Sequence, residues 1–312
     1  MNQKNLKIIL CVPRGFCAGV TRAIKTVEKA IEKYPSPVYV RHEIVHNKYV
    51  VEELKKKGAV FIEEIDAIPD QSVVIFSAHG VPENIKKWAE RKRLTTIDAT
   101  CPLVERAHLK AKSNYAKGVT TVLIGHKGHP EVIGTMGQVP AEAIILISST
   151  DDIEKLNPGL RISYVTQTTL SVDETRDIIN ALKQKFPYLE NSGDDNDICY
   201  ATTNRQRAVK EIAGVCDMML VVGSPNSSNS RRLAEVARKN GCPDTFLIQN
   251  DDDIDWNKLK DIDTLGITAG ASAPEILIDN ILKRAKNYFD ITVENGSGKK
   301  EDLNFKLPKG LE

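Results

Sequence analysis

The sequence predicts an α/β protein: three pseudo-threefold-related α/β domains with mainly parallel sheets around a central cavity. Three observations carry the prediction. Short apolar runs alternate with helix-period patterns along the chain, as parallel strands joined by crossover helices require. At 312 residues the chain is long for a single core. The third observation is a repeat marked by cysteines. From Cys17, Cys101 and Cys199 the next strand starts 21, 20 and 19 residues on, and a polar residue past that strand (His46, His129, Ser228) follows at 29, 28 and 29. A second polar turn comes later in each round, at His79, Thr168 and Ser272. In open parallel sheets the loops at the carboxyl ends of strands hold ligands, so a threefold arrangement would converge these groups. The boundaries drawn from the repeat are 1–94, 95–193 and 194–293, with a tail at 294–312.

Taken in order, the apolar run 8–12 reads as a strand. Pro13-Arg14-Gly15-Phe16-Cys17-Ala18-Gly19 reads as a turn, and Val20, Ile24, Val27, Ala30 and Ile31 recur at helical steps. A strand at 38–40 and a helix at 48–57, stopped by Gly58, follow. Strands at 59–62 and 73–76 lead to a helix at 83–92. The second round has a strand at 95–98 and a helix opened by Pro102, which suits a first turn because its missing N–H costs nothing there. Strands at 121–124 and 162–165 come next, and Ser171 with Glu174 fits a capping box for the following helix. A polar linker is expected at 190–196. The third round has a helix ending near Ala213, strands at 218–222 and 265–267, and a last helix to about Lys286. The Lys/Gly-rich tail is either mobile or docked by a short strand at 303–307.

Composition narrows the partners. With 41% hydrophobic and 27% charged residues and a net charge of +1, nothing electrostatic favours nucleic acid or an acidic membrane surface. No apolar run is long enough to span a bilayer, and the amino end has no h-region or cleavage site of a leader. Six dispersed cysteines do not form a secreted disulfide framework. A cytoplasmic protein with reduced thiols is expected.

Each candidate has a bland reading. A lone cysteine at a helix start is commonly structural, a histidine after a strand is commonly a satisfied loop residue, and Ser/Thr/Asn runs commonly cap helices. Repetition weighs against all three. Soft thiolates select zinc or iron–sulfur clusters. Structural zinc usually takes four ligands with close pairs, and the chain has no C-x-x-C. Three thiolates on a cubane would leave one iron open, as a Lewis acid needs. Cys11, Cys216 and Cys242 read as ordinary thiols. The donors at His46, His79, His129, Thr168, Ser227, Ser228, Asn229 and Ser272 suit a phosphate or diphosphate, and no nucleotide fingerprint is present. Glu131 is a candidate general acid. On residues alone, an iron–sulfur sensor and a zinc-bearing phosphate module stay open.

In combination, PRGFC17AG, RHEIVH46N, FSAH79GV, DATC101PLV, GHKGH129PE131, TQT168TLS, IC199YATTNRQ, S227S228N229SRRLA and TAGAS272AP closely resemble the 4-hydroxy-3-methylbut-2-enyl diphosphate reductase family, from about Ile8 to Lys286. The resemblance implies a 4Fe–4S cluster on Cys17, Cys101 and Cys199. It implies a diphosphate held by His46, His79, His129, Ser227, Ser228, Asn229 and Ser272, with Thr168 near the substrate hydroxyl and Glu131 as proton donor. It also implies reductive dehydroxylation to isopentenyl or dimethylallyl diphosphate at the last step of the methylerythritol phosphate route. No flavin or nicotinamide motif is present, so reduced ferredoxin or flavodoxin is the expected electron donor.

Overall fold

The computed structural model describes residues 3–190 and 198–312; the expected linker, apart from Glu190, lies outside the described residues. The chain opens with β1 (Lys4–Leu10), α1 (Ala18–Lys33), β2 (Val38–Arg41), α2 (Lys48–Lys56), β3 (Ala59–Ile62), β4 (Val73–Phe76), α3 (Glu83–Arg91) and β5 (Thr95–Asp98). It continues with α4 (Pro102–Ala116), β6 (Thr120–Ile124), α5 (Pro130–Met136), β7 (Ile144–Ile147), α6 (Thr150–Glu154), β8 (Ile162–Thr166) and α7 (Val172–Lys185). The last part holds α8 (Tyr200–Ala213), β9 (Met218–Val222), α9 (Ser228–Lys239), β10 (Thr245–Ile248), β11 (Thr264–Ala269), α10 (Glu275–Ala285) and β12 (Phe289–Asn295).

The strands form three sheets, ordered β10-β9-β11-β1-β12, β3-β2-β4-β5 and β7-β6-β8. Every strand pairing among the described residues is parallel. The α/β class and the three parallel sheets are as the sequence predicts. The described residues fall into two compact units. One takes the chain up to Val20, His46–Val50 and Tyr200–Leu303; the other takes Thr21–Val45, Val51–Cys199 and Asn304–Glu312.

The first unit holds the five-stranded sheet. Its strand β9 is buried at every position, as a parallel strand covered on both faces must be. Alternation sends Met218, Leu220 and Val222 to one side with Ile8, Leu10, Ile267 and the α10 residues Leu277, Ile278 and Ile281. Met219 and Val221 face the other side with Val209 and Ile212 of α8 and Leu233 and Ala237 of α9. That period of two is the geometry of a strand. β12 is an edge strand that buries Phe289 and leaves most later positions exposed; no strand was expected there, because its outer face is polar.

The second unit holds the other two sheets. In the three-stranded one, Val122, Ile124, Ile162 and Tyr164 pack on Ile178, Ile179 and Leu182 of α7. Leu123 and Val165 face Ala107 and Ala111 of α4 and Val132 of α5. Two expected helix starts are present: Cys101 is the N-cap of α4 with Pro102 behind it, and Ser171 Oγ accepts the Glu174 N–H at 3.3 Å. β7, α5, α6, α9 and β10 were not anticipated as elements. At α9, Ser228-Asn229-Ser230 reads as a turn until the cap at Ser227 is seen.

Sheet membership does not follow the boundaries drawn from the cysteine repeat. β1 lies before Cys17 but pairs with β11 and β12 of the third round. β5 lies before Cys101 but pairs with β4 of the first round, Phe76 opposite Asp98. Ile198, just before Cys199, packs in the core of the three-stranded sheet, while α8 after it packs on the five-stranded one. Each cysteine therefore stands where the chain leaves one sheet to build on another.

The tail is neither a strand at 303–307 nor loose. In the first unit Gly296 N–H donates to Leu10 O at 2.9 Å, and Glu301 meets Arg205 at 3.0 Å. In the second, Lys306 O accepts from Arg22 Nε at 2.7 Å, Gly310 O from Lys33 Nζ at 2.5 Å, and Leu311 is buried. Side chains, rather than a ladder of backbone bonds, hold it.

Candidate metal centre and anion site

The six cysteines divide by environment. Cys11, Cys216 and Cys242 are buried; burial pushes the thiols of Cys11 and Cys216 up to about 12 and raises that of Cys242. These three stay protonated and inert. Cys17, Cys101 and Cys199 are only half-buried, and each immediately precedes a helix, α1, α4 and α8. Each thus stands where the first amides of a helix are open.

Each of the three turns is anchored through its own backbone N–H. In the first unit Cys17 N–H donates to Ala271 O at 3.2 Å. Gly15 adopts φ +68°, and a Cβ there would lie 3.3 Å from Ala273 O, so this turn requires glycine. In the second unit Cys101 N–H donates to Ala78 O at 3.0 Å, and Cys199 N–H to Thr168 O at 3.3 Å. Cys17 thus belongs to one unit and the other two to the second. Among the described residues, no group of three or more His, Cys, Asp or Glu is already gathered around one ion position.

The first unit gathers His46, Ser227, Ser228, Asn229 and Ser272. Ser227 caps α9 by accepting the Ser230 N–H at 3.3 Å. Ser272 Oγ donates to the His46 backbone oxygen at 3.0 Å, and the Asn226 amide lies 3.5 Å from His46 Nδ1. Asn229 is 4% exposed, yet both polar atoms of its side chain are buried without a hydrogen-bond partner. A buried amide with nothing to bond is costly, and its place in the first turn of a helix matches the need of an anion for donors. The bland reading of this run as a cap is correct for Ser227 and insufficient for Asn229.

Two glycines let α9 come this close to the sheet. A Cβ on Gly223 or on Gly270 would sit 2.1 Å from Ser230 Oγ, and Ser230 is completely buried between them. Gly270→Ala is expected to destabilise the chain by about 1–3 kcal/mol through overpacking. Urea titration checks this, and an unchanged midpoint would show that Ser230 can move aside.

The second unit gathers His79, His129, Glu131 and Thr168. His79 and His129 meet edge to face, their rings 5.9 Å apart. His129 caps α5, its Nδ1 accepting the Glu131 N–H at 3.2 Å. Glu131 is 3% exposed. Its carboxylate accepts from Thr168 N–H at 2.7 Å and from Thr168 Oγ1 at 2.9 Å. Burial pushes this carboxyl up to about 7, against the opposing pull of the two Thr168 bonds. An acid poised at the working pH can both hold and deliver a proton. Glu131 is therefore a buried acid and not a surface carboxylate.

Some contributors carried no sequence signal. Gln167 accepts the His126 N–H at 3.0 Å and donates to Thr169 Oγ1 at 2.9 Å, tying two loops of the second unit. His108 of α4 packs against Gly80, where a Cβ would meet its Cε1 at 2.5 Å; burial pushes its imidazole down to about 4, so it stays neutral. In the first unit the Tyr200 hydroxyl accepts the Ala18 N–H at 3.3 Å, beside Cys17. Arg205 stood inside a recognised motif, but its spacing assigned it no role.

Residues 8–286 match the family described as LytB protein. The chain is 53% identical to the 4-hydroxy-3-methylbut-2-enyl diphosphate reductase of Ruegeria pomeroyi, covering 100% of this chain and 99% of the relative. It is also 53% identical to the reductase of the same name from Methylocella silvestris, covering 98% and 97%. Among solved structures it superposes with a TM-score of 0.90 and 38% identity on E-1-hydroxy-2-methyl-but-2-enyl-4-diphosphate reductase from Plasmodium falciparum, over 100% and 97% of the two chains. A second, described as (E)-4-hydroxy-3-methyl-but-2-enyl diphosphate reductase, the terminal enzyme of the non-mevalonate pathway, matches at a TM-score of 0.65 and 31% identity over 90% and 99%. By its sequence over the full length and by its fold, the chain belongs to the LytB family of 4-hydroxy-3-methylbut-2-enyl diphosphate reductases.

Proposed function

We propose that the chain reduces (E)-4-hydroxy-3-methylbut-2-enyl diphosphate to isopentenyl and dimethylallyl diphosphate, with Cys17, Cys101 and Cys199 holding a 4Fe–4S cluster. The observation that carries the metal assignment is the division of the cysteines: three half-buried thiols at helix starts, three buried ones locked as thiols. A soft donor set of three suits such a cluster. When bound, the cluster supplies single electrons and one iron position without a protein ligand.

The protein's own groups do the rest. His46, His79, His129, Ser227, Ser228, Asn229 and Ser272 hold and orient the anionic end. The unsatisfied amide of Asn229 gains the partner it lacks when a phosphate oxygen arrives. Glu131 delivers a proton to the departing hydroxyl, so that the C–O bond breaks with loss of water rather than hydroxide. Thr168, already bonded to both carboxylate oxygens, orients that acid and lies beside the hydroxyl it serves. The reaction consumes two electrons and two protons, the second proton forming the new C–H bond. Reduced ferredoxin or flavodoxin supplies the electrons, and the substrate is soluble. No helix among the described residues is long and apolar enough to cross a membrane, and the proposed location is the cytoplasm.

Anaerobic purification with iron, sulfide and zinc analysis, followed by a reductant-driven assay on the diphosphate, tests the reading. Iron and sulfide in near-equal amounts with steady substrate consumption are expected. A colourless, zinc-loaded protein would overturn it, as would an iron–sulfur protein that binds the diphosphate without consuming it.

A further inference from the structure

The tail carries no family motif, yet two arginines join it to cysteine turns by the same device. In the first unit Arg205 is completely buried. Its Nε and Nη2 donate to Gly15 O at 3.0 and 2.7 Å, Nη2 also reaches Phe16 O at 3.3 Å, and Nη1 donates to Ala201 O at 2.9 Å. Its charge is met by Glu301 of the tail, whose two oxygens lie 3.2 and 3.0 Å from Nη1. Asn204 holds Glu301 in turn, at 2.9 Å. In the second unit Arg22 Nη1 donates to Thr100 O at 3.0 Å while its Nε donates to Lys306 O of the tail at 2.7 Å. The carbonyls taken by the two guanidinium groups thus include the one just before Cys17 and the one just before Cys101.

We propose that the C-terminal segment is a strap for the ligand turns: Arg205, fixed by Glu301, and Arg22, fixed by Lys306, are positioning residues for Cys17 and Cys101. The planar fork of arginine suits the task, because one rigid group can bond several acceptors at fixed angles. A guanidinium with no exposure needs a counter-charge, since an unpaired buried cation is strongly destabilising. Glu301 supplies it from the tail. The segment is built for close approach: a Cβ on Gly298 would fall 1.7 Å from Val12 O, so the tail lies directly on the chain that leads into Pro13–Cys17. Cys199 is tied through its own N–H to Thr168 O.

The importance of the strap rests on these cysteines being ligands, but its test reads the polypeptide and stands apart from that reading. Hydrogen exchange by mass spectrometry on the full-length chain follows peptides covering 14–18, 99–102 and 198–200. Glu301→Ala is expected to speed exchange at 14–18 at least ~5-fold while the other two hold still. Glu301→Gln, which keeps one acceptor oxygen, should give a smaller rise. Arg22→Met should speed 99–102 by a similar factor and leave 198–200 unchanged. Unaltered exchange at the named peptide would overturn the proposal. Equal acceleration at all three would overturn it as well, since that is loss of stability rather than of position. Should Glu301→Ala not fold, Glu301→Gln alone decides by the same pattern.

Discussion

Glu131→Gln is expected to bind the diphosphate substrate with little change in KM and to turn over at least about 100-fold more slowly, the scale of a lost general acid. The amide keeps the shape and can still accept from the Thr168 N–H, so the pocket survives while the proton does not. Single-turnover kinetics with pre-reduced enzyme measures this, and a near-normal rate would assign the proton to another group. The parent should also lose turnover as pH rises through about 7, where its carboxyl gives up the proton.

The same substitution makes a stability prediction of unusual sign. Burial raises Glu131 from 4.5 to about 7, so between those values the folded chain holds a proton that the unfolded chain has released. The proton-linked stability is fully present below about 4.5 and is lost as pH rises through about 7, to the extent of about 3 kcal/mol at 1.36 kcal/mol per pKa unit. Glutamine does not titrate. The metal-free Glu131→Gln chain should therefore be more stable than the parent at pH 8.5, and the gap should narrow by pH 5.5. Urea titrations at the two pH values decide it, and parallel pH profiles would mean that the parent carboxyl is not held protonated.

Cys101→Ser is expected to strip most of the iron and to reduce turnover more than about 100-fold, because a hard, weakly acidic hydroxyl replaces a soft thiolate. Cys242→Ser serves as the contrast: its parent residue is buried in the apolar core beside α8 and α9, its sulfur 3.9 Å from Asp244 O, so iron content should not change. Both variants are purified anaerobically and assayed for iron and sulfide. Full iron and sulfide in Cys101→Ser would end the cluster assignment.

What could be read in advance divides along physical lines. Strands buried on both faces, such as β9, are legible because burial leaves no polar position to blur the run. β12 was not, because an edge strand with one covered residue looks like a loop. Cysteines and histidines announce themselves by rarity and recurrence, so the candidate ligands were legible before any coordinates. Glu131 was legible only as a type, since its acidity depends on burial that no pattern of charge displays. Asn229 was legible as a candidate donor, but that both polar atoms of its buried side chain lack a partner shows only in the structure. Arg205, Arg22 and Glu301 were silent because their meaning lies in contacts spanning most of the chain. The repeat counts from cysteines, whereas hydrogen bonds group strands into sheets that cross those boundaries.

That mismatch bears on how the protein can be taken apart. A fragment cut between residues 94 and 95 would strip β5 from β4, and one beginning after β1 would open the five-stranded sheet at β11 and β12 together. Segments of this chain are therefore poor candidates for expression as free-standing modules or for transplantation into hybrids. If the rounds arose by copying, the copies have since exchanged strands, and the cysteines sit at the seams of that exchange. A lineage losing one round would forfeit a neighbour's sheet along with a cysteine turn, which is a physical reason for the three to be inherited as one.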